Sequence, residues 1–172
     1  AGNTVSAAEH TMALMLALAR NIPLADADMR KGAWSRGKLT GTELRGKTLG
    51  IVGLGNIGSQ VALRAQSFEM RTIAYDPFVP AEYARTFKVT LVSLQELLTQ
   101  ADFITLHIPL SQATRNLIGP AELELVKPTA RIINCARGGV VDEDAVAAAL
   151  HDGALAGAAF DVFSEEPPTT SP

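Results

Sequence analysis

The sequence is poor in several residue types and patterns, and each shortage excludes a class of structure or partner. It has one cysteine, Cys135, so no disulfide can form within the chain, and a reducing, cytoplasmic setting is expected. Basic residues are not clustered and the net charge is −3, which argues against a nucleic-acid partner. The most apolar run, residues 12–19, is too short to span a bilayer, which argues against a membrane partner.

The beginning of the chain, AGNTVSAAEH, has neither an initial methionine nor the basic segment of a signal peptide. This suggests a processed chain or a piece of a longer protein. Its 172 residues, 47% of them apolar, are enough for one domain with a sizeable core.

Residues 47–76, KTLGIVGLGNIGSQVALRAQSFEMRTIAYD, contain the most informative pattern in the chain. Apolar runs at 48–54 and 72–75 predict two buried strands, with apolar residues at helical spacing between them. The first strand leads into Gly53-x-Gly55-x-x-Gly58, the spacing of a dinucleotide-binding turn. Asp76 follows Gly58 by 18 residues, which suits a carboxylate that binds the adenosine ribose hydroxyls. The alternative is that these glycines serve an ordinary strand–helix turn.

Each glycine of this turn has a physical task if a dinucleotide binds there. Gly53 permits the tight turn, Gly55 lets a pyrophosphate approach the backbone, and Gly58 lets the helix pack against the strand. The free N–H groups and positive dipole end of the helix then face the phosphates. Because Asp76 is not followed directly by an arginine, NAD is predicted over NADP.

Strand-like and helix-like segments alternate along the remaining sequence. This alternation predicts an α/β fold, a Rossmann-type doubly wound parallel sheet with helices on both faces. The predicted strands are residues 48–54, 72–75, 89–91, 102–108, 131–136 and 158–162. The predicted helices are residues 6–19, 23–31, 57–65, 81–85, 94–98, 120–125 and 143–151.

Two features of the first predicted helix are informative. Ser6 and Glu9 have the spacing of a capping box, with Ser6 as the N-cap. The helix is apolar over more than half its circumference, since residues 14, 16 and 18 are leucines beside the core-facing methionines. We therefore expect part of this helix, together with the loop around Trp34, to contact a second subunit. His10 is interpreted as a packing or surface residue rather than a catalytic one.

Polar residues follow the predicted strands at one edge of the sheet, where ligands bind in such folds. The strand ends bring Asp76, His107, Cys135, Arg137 and Asp161 to this edge. Arg137 is the strongest candidate for chemistry, because its guanidinium suits a carboxylate or a polarised carbonyl. The alternative is a surface arginine that pairs with Asp142 or Glu143.

Other candidates near this edge have simpler interpretations. Cys135 is expected to be a packed thiol and His107 to shape a pocket wall, and Asp142 is expected to cap a helix. Glu165 and Glu166 either orient a catalytic base or are solvated loop charges. No metal-ligand spacing is evident, so no metal is expected.

Six stretches together resemble the NAD-binding domain of the D-isomer-specific 2-hydroxyacid dehydrogenases. They extend over essentially the whole chain: AGNTVSAAEH, GTELRGKTLGIVGLGNIG, YDP, DFITLHIPL, IINCARGGVVDE and FDVFSEEPP. The resemblance implies that residues 1–172 are the cofactor domain of a longer oxidoreductase whose substrate domain lies outside this sequence. It also implies a homodimer or higher homo-oligomer.

The resemblance also implies roles for individual residues. Cys135, Ala136 and Asp161 would hold the nicotinamide amide, Arg137 would be the catalytic arginine that binds substrate, and Glu166 would partner a catalytic histidine. Taken with the residue pattern, it implies that NAD contacts Gly53, Gly55, Asn56, Ile57, Gly58, Asp76, Pro77, His107, Ile108, Pro109, Thr114, Cys135, Ala136, Arg137 and Asp161.

The sequence departs from the family's pattern in three places. The family's catalytic histidine lies in a proline-histidine-glycine stretch that this sequence does not contain. Glu69 and Lys88 occupy positions where the family usually has glycine, so we expect both residues in left-handed, mildly strained conformations.

The family's reaction moves a hydride between C2 of a 2-hydroxy acid and NAD. The resemblance favours 3-phosphoglycerate as substrate, in serine biosynthesis, and leaves D-lactate, glyoxylate and hydroxypyruvate as alternatives. An alternative of another class is an NAD-sensing protein like the family's transcriptional corepressors. The chain alone is expected to bind NAD without turning substrate over.

Overall fold

Six parallel strands form one sheet in the part of the chain that the structure, a computed structural model, describes: residues 3–169 and 172. Their order across the sheet is β3-β2-β1-β4-β5-β6. In chain order they are β1 (Thr48–Val52), β2 (Arg71–Tyr75), β3 (Thr90–Leu91), β4 (Phe103–Leu106), β5 (Arg131–Asn134) and β6 (Gly157–Phe160). The chain passes from β1 to β2 on one side and returns to β4 on the other. A crevice therefore opens beyond the carboxyl ends of β1 and β4.

Helices cover both faces of this sheet. Ile132 and Ile133 of β5 belong to two different apolar clusters, as expected for neighbouring strand residues that point to opposite faces. Residues of α1 and α3 join the first cluster, and residues of α5 and α7 join the second. The Rossmann-type fold is thus confirmed. No described helix is long and apolar enough to cross a membrane. The helices are α1 (Thr4–Ala19), α2 (Ile22–Arg30), α3 (Asn56–Ser67), α4 (Ala81–Thr86), α5 (Leu94–Gln100), α6 (Pro120–Leu123) and α7 (Glu143–His151).

Several predicted strands end earlier than the apolar pattern suggested. β1 ends at Val52 rather than at residue 54, β4 at Leu106 rather than at 108, and β5 at Asn134 rather than at 136. The same is true of β6, which ends at Phe160 rather than at 162. The apolar residues beyond these ends are buried or half-buried in turns. Hydrophobicity alone cannot distinguish such a turn from a continuing strand.

The predicted capping box at the start of the first helix is wrong. The helix begins at Thr4, so Ser6 lies inside it, and the N-cap residue Asn3 makes no side-chain cap bond. Glu9 does not reach back but pairs with Arg64 of α3, with 3.6 Å between Oε1 and Nη2. Packing against α3, rather than a local cap, therefore stabilises this end of the helix.

The exposed apolar surface near the N-terminus also differs from the prediction. Leu14, Leu16 and Leu18 of α1 are half-buried rather than free. Apart from Val5 in the first turn of α1, the exposed large apolar side chains of this region lie on α2 and the following loop, where Leu24 is 60% exposed and Trp34 is 77% exposed. A subunit contact would therefore use α2 and the Trp34 loop more than the leucines of α1.

The two residues expected in left-handed backbone, Glu69 and Lys88, do adopt it. Glu69 has φ +58° and Lys88 has φ +55°, each just after a helix. In this region the Cβ of an L-residue meets the following carbonyl oxygen, at a cost of roughly 1 kcal/mol. Glu69 is partly compensated, because its carboxylate pairs with Arg45 at 2.9 Å. Lys88 is exposed and follows Phe87, the C-cap of α4.

Lys88→Gly is therefore expected to raise the free energy of unfolding by up to about 1 kcal/mol, since it removes the φ strain. Glycine also makes the unfolded chain more flexible, which offsets part of the gain. The control, Arg85→Gly in the last turn of α4, should lower the same quantity by about 1 kcal/mol. Urea titrations of both variants test this, and destabilisation by Lys88→Gly as large as the control's would contradict it.

Candidate functional site

The glycine turn after β1 is fixed by close backbone contacts. Gly53 has φ +94°, and its N–H donates to the carbonyl of Tyr75 at 2.9 Å. A Cβ on Gly58 would overlap the carbonyl oxygen of Gly53. Gly58 thus allows the first turn of α3 to rest directly on the chain leaving β1, as the sequence predicted.

Gly55 has a different environment. It is the N-cap of α3, no side chain caps that end, and no heavy atom lies within 4 Å of where its Cβ would be. The first N–H groups of α3 therefore have no side-chain cap, and the residue beside them has no side chain. This arrangement fits a pyrophosphate, which needs backbone donors, a positive helix end and room to approach.

Asp76 has an additional role that the sequence pattern did not reveal. Its Oδ2 accepts a hydrogen bond from the N–H of Leu54 at 2.8 Å, inside the glycine turn. Its Oδ1 accepts from the N–H groups of Phe78 at 2.9 Å and Val79 at 3.3 Å. The carboxylate is therefore held in place by backbone donors and joins the end of β2 to the glycine turn. Pro77, next to it, is exposed.

The loop after β4 forms the other side of the crevice. Ile108 lies against the glycine turn, since its Cγ2 would be 2.6 Å from a Cβ on Gly53. Pro109 is exposed, and its carbonyl accepts a hydrogen bond from the Thr114 hydroxyl at 2.7 Å. The same hydroxyl accepts from the N–H of Ser111 at 2.8 Å, so Thr114 shapes this loop from within.

Asn134 is a residue that sequence reasoning missed. It is 1% exposed at the end of β5, where its Nδ2 donates to the carbonyl of Arg137 at 3.1 Å. Its Oδ1 accepts from the N–H of Ala136 at 3.0 Å. The Asn134 amide therefore closes the loop that carries Cys135, Ala136 and Arg137. A signal was available, because an asparagine at the end of an apolar strand often bonds to the backbone of a following turn.

Arg137 itself is exposed at this edge, and its Nη1 donates to the carbonyl of Ala136 at 2.6 Å. The two acids that could have paired with it bond elsewhere. Asp142 caps α7 by accepting from Ala145 N at 3.0 Å, and Glu143 accepts from Ser164 at 2.6 Å. The cap predicted at Asp142 is confirmed, and neither acid pairs with Arg137.

The chain that leaves β6 crosses this same loop. A Cβ on Gly138 would overlap the carbonyl oxygen of Phe163, so the two backbones touch. Glu166 lies just beyond, where its Oε1 accepts from the N–H of Phe163 at 3.0 Å. The structure thus places Glu166 close in space to the Arg137 loop. Glu165 is exposed.

Cys135 is half-buried, as a packed thiol would be. Burial raises the pKa of its thiol, and the charge of Asp161 adds to this, while a hydrogen bond with Thr11 opposes it. The thiol therefore stays protonated near neutral pH and is a poor nucleophile. Within residues 3–169 and 172, no group of three or more histidine, cysteine, aspartate or glutamate side chains could hold a metal ion.

His107 lies on the crevice wall and is held by two contacts. Its backbone N–H donates to the carbonyl of Val52 at 2.8 Å, and the Nε2 of its ring lies 2.9 Å from the Thr105 hydroxyl. Burial lowers the pKa of the imidazole to about 4. His107 is therefore uncharged at neutral pH, which agrees with a wall residue rather than an acid–base group.

This buried imidazole should make folding sensitive to acid. Between pH 6.5 and about 4 the unfolded chain binds a proton at His107 that the folded chain does not. The free energy of unfolding should therefore fall as the pH falls through this window, by at most about 3 kcal/mol. His107→Gln should reduce the dependence of the free energy of unfolding on pH, whereas His151→Gln, at the exposed end of α7, should leave that dependence unchanged. Urea titrations from pH 4 to 7 measure the free energy of unfolding of the unsubstituted chain and of both variants. The same pH dependence in all three proteins would refute the assignment.

Comparison with known proteins agrees with this geometry. The family profile described as D-isomer specific 2-hydroxyacid dehydrogenase, NAD binding domain, matches residues 12–172. The chain is 52% identical over 171 residues to D-3-phosphoglycerate dehydrogenase of Methanocaldococcus jannaschii, which covers 99% of this chain and 33% of that protein. The human enzyme of the same name is 52% identical over 167 residues, covering 97% of this chain and 31% of that protein.

A solved structure shows the same fold at lower identity. D-lactate dehydrogenase from Aquifex aeolicus, in complex with NAD and lactic acid, has a TM-score of 0.87 and 35% identity, covering 94% of this chain and 48% of that chain. The chain spans about a third of the length of the curated relatives it matches. By sequence, fold and the geometry of its glycine turn, it belongs to the D-isomer specific 2-hydroxyacid dehydrogenase family, whose NAD-binding domain it forms.

Proposed function

We propose that this chain is the cofactor domain of a D-3-phosphoglycerate dehydrogenase, which moves a hydride between C2 of 3-phosphoglycerate and NAD in serine biosynthesis. The relatives from Methanocaldococcus jannaschii and human, both 52% identical to this chain, carry that name. The observation that carries the cofactor part of the proposal is the open N-terminus of α3 at Gly55, beside an Asp76 carboxylate held by backbone donors. NAD supplies the hydride chemistry, and the protein supplies binding, orientation and charge.

The cofactor would be held by residues along the carboxyl edge. The N–H groups of Asn56 and Ile57 at the start of α3 would bind the pyrophosphate, and Asp76 would accept hydrogen bonds from the adenosine ribose. Ile108, which lies against the glycine turn, would line the cleft. The other residues proposed to contact the cofactor are Gly53, Gly58, Pro77, His107, Pro109, Thr114, Cys135, Ala136, Arg137 and Asp161.

The reactive end would be organised around the loops after β5 and β6. Cys135, Ala136 and Asp161 would hold the nicotinamide amide. Arg137 would fix the substrate carboxylate and carbonyl, because its fork of donors matches two oxygens. Glu166 lies close to the Arg137 loop through its bond to Phe163 N. It would hold the charge of a catalytic histidine that this sequence does not contain.

Residues 1–172 would then be one domain of a longer chain, whose substrate domain completes the active site. We further propose that this domain forms a homodimer through α2 and the Trp34 loop, where Leu24 and Trp34 expose large apolar surfaces. Sedimentation as a strict monomer at high concentration would count against that contact. A cytoplasmic location is proposed from the single cysteine, which suits a reducing compartment.

The test is an assay of the full-length protein that contains this chain. With NAD or NADH present, kcat/KM is compared among 3-phosphoglycerate, D-lactate, glyoxylate and hydroxypyruvate. A clear preference for 3-phosphoglycerate is expected. Preference for another of these acids would make that acid the substrate and leave the proposed class of reaction unchanged. Tight NAD binding without oxidation of any of these acids would favour an NAD-sensing protein instead.

A further inference from the structure

A hydrogen-bonded pair joins the first helix to the end of the last strand. His10 of α1 and Asp161, directly after β6, lie with 3.1 Å between Nε2 and Oδ1. Both side chains are about half exposed, at 49% and 51%. A carboxylate only accepts hydrogen bonds, so the Nε2 atom of His10 carries the hydrogen that forms this bond. His10 is therefore more than the packing or surface residue that the sequence suggested.

The neighbours of His10 fix this part of α1 in place. Glu9 pairs with Arg64 of α3 at 3.6 Å, and Thr11 is fully buried, with its hydroxyl donating to the carbonyl of Ala7 at 2.8 Å. Glu9 and His10, two consecutive residues of α1, thus reach α3 and the end of β6. Ala8 and Met12, on either side, are buried in the core. His10 is therefore presented to Asp161 by a helix that cannot easily shift.

The pair leaves one carboxylate oxygen of Asp161 for another partner. The contact from His10 is made to Oδ1, so Oδ2 is the oxygen that can accept a bond from a ligand. The backbone of Asp161 is held as well, because its N–H donates to the carbonyl of Asn134 at 3.0 Å. With main chain and one oxygen both fixed, the second oxygen has a defined direction at the edge of the crevice.

We propose that His10 is a positioning residue that orients Asp161 to accept a hydrogen bond from the nicotinamide amide. The proposal rests on the proposed function, in which Asp161 binds that amide. A half-exposed carboxylate that is free to rotate must lose that freedom when the cofactor binds, and this loss weakens binding. The bond from His10 restricts the side chain beforehand. It acts on the nicotinamide end alone, since adenosine and pyrophosphate are held around Asp76 and α3.

The test compares two ligands that differ only at that end. NAD and ADP-ribose share the adenosine, the pyrophosphate and the second ribose, but ADP-ribose lacks nicotinamide. His10→Leu should weaken NAD binding about three- to tenfold, as expected for one lost hydrogen bond, and should change ADP-ribose binding by less than about twofold. His10→Gln, which can still donate, should recover part of the loss. His151→Leu, at the exposed end of α7, is the matched control and should change neither affinity.

Calorimetry on the 172-residue chain gives all these affinities. In an Asp161→Asn background, His10→Leu should cause little further loss of NAD affinity, because the two residues act through one contact. Equal weakening of NAD and ADP-ribose by His10→Leu would mean a general structural role, and unchanged NAD affinity would mean no role. Either result overturns the inference while the proposed cofactor site stands. If the unsubstituted chain binds neither ligand, the proposed function fails and the inference fails with it.

Discussion

NAD is expected to bind this chain about a thousandfold more tightly than NADP, because the 2′-phosphate of NADP would meet the Asp76 carboxylate. Like unit charges about 4 Å apart repel by roughly 4 kcal/mol at an effective dielectric near 20, which corresponds to that ratio. The carboxylate cannot easily turn away, since Leu54, Phe78 and Val79 donate backbone hydrogen bonds to it. The residues after Asp76 are Pro77, Phe78 and Val79, so no arginine follows directly to offset the repulsion.

Two substitutions remove the charge of Asp76 and differ in how many of its backbone bonds they keep. Asp76→Asn keeps one acceptor oxygen, which can serve either Leu54 N or the N–H groups of Phe78 and Val79, but not both. It should narrow the affinity gap between NAD and NADP, because the repulsion is lost while part of the backbone anchoring remains. Asp76→Ala removes all three backbone bonds and should weaken both cofactors. Asp152→Asn, at the exposed end of α7, is the control for loss of one negative charge. Equal affinities for NAD and NADP in the unsubstituted chain, measured by calorimetry, would contradict the role of Asp76 as the residue that excludes the 2′-phosphate.

The sequence was most informative where a structural feature is formed by one short segment. The turn from Gly53 to Gly58 is local, and each glycine was predicted from the steric demand of strand, phosphate or helix at that point. Asp76 was predicted as a ribose ligand from its spacing. The bond between Asp76 and Leu54 N could not be predicted, because this bond depends on how closely the end of β2 approaches the glycine turn.

The sequence was least informative where a contact joins distant elements. His10 and Asp161 lie near opposite ends of the chain, and only the packing of α1 beside β5 and β6 brings them within 3.1 Å. The two hydrogen bonds by which the buried Asn134 amide holds the following loop were not predicted, because Asn134 is the only amide in an apolar strand. The capping box at Ser6 was misread for the opposite reason. A local pattern was present, but packing of α1 against α3 extended the helix beyond it.

The 172-residue chain is expected to bind NAD and yet give no detectable turnover of 3-phosphoglycerate. None of its three histidines lies in a proline-histidine-glycine stretch like that of the family's catalytic histidine. His10 bonds to Asp161, which is proposed to hold the nicotinamide amide, His107 is half-buried with a pKa of about 4, and His151 ends α7 at the surface. Loss of the general acid–base group typically slows catalysis by about two to four orders of magnitude.

The missing substrate domain should lower the rate much further. Positioning of two reactants can contribute on the order of 7–11 kcal/mol to lowering the barrier, and Arg137 alone cannot hold a hydroxy acid against the nicotinamide. The measurement follows NADH absorbance after NAD and 3-phosphoglycerate are added to the purified chain. Calorimetry on the same sample shows whether NAD is bound, so a misfolded preparation cannot pass for an inactive one. Steady turnover at rates usual for dehydrogenases would mean that one of the three histidines does act as the acid–base group. His107→Ala would then be the first variant to assay, because His107 lies on the wall of the crevice itself.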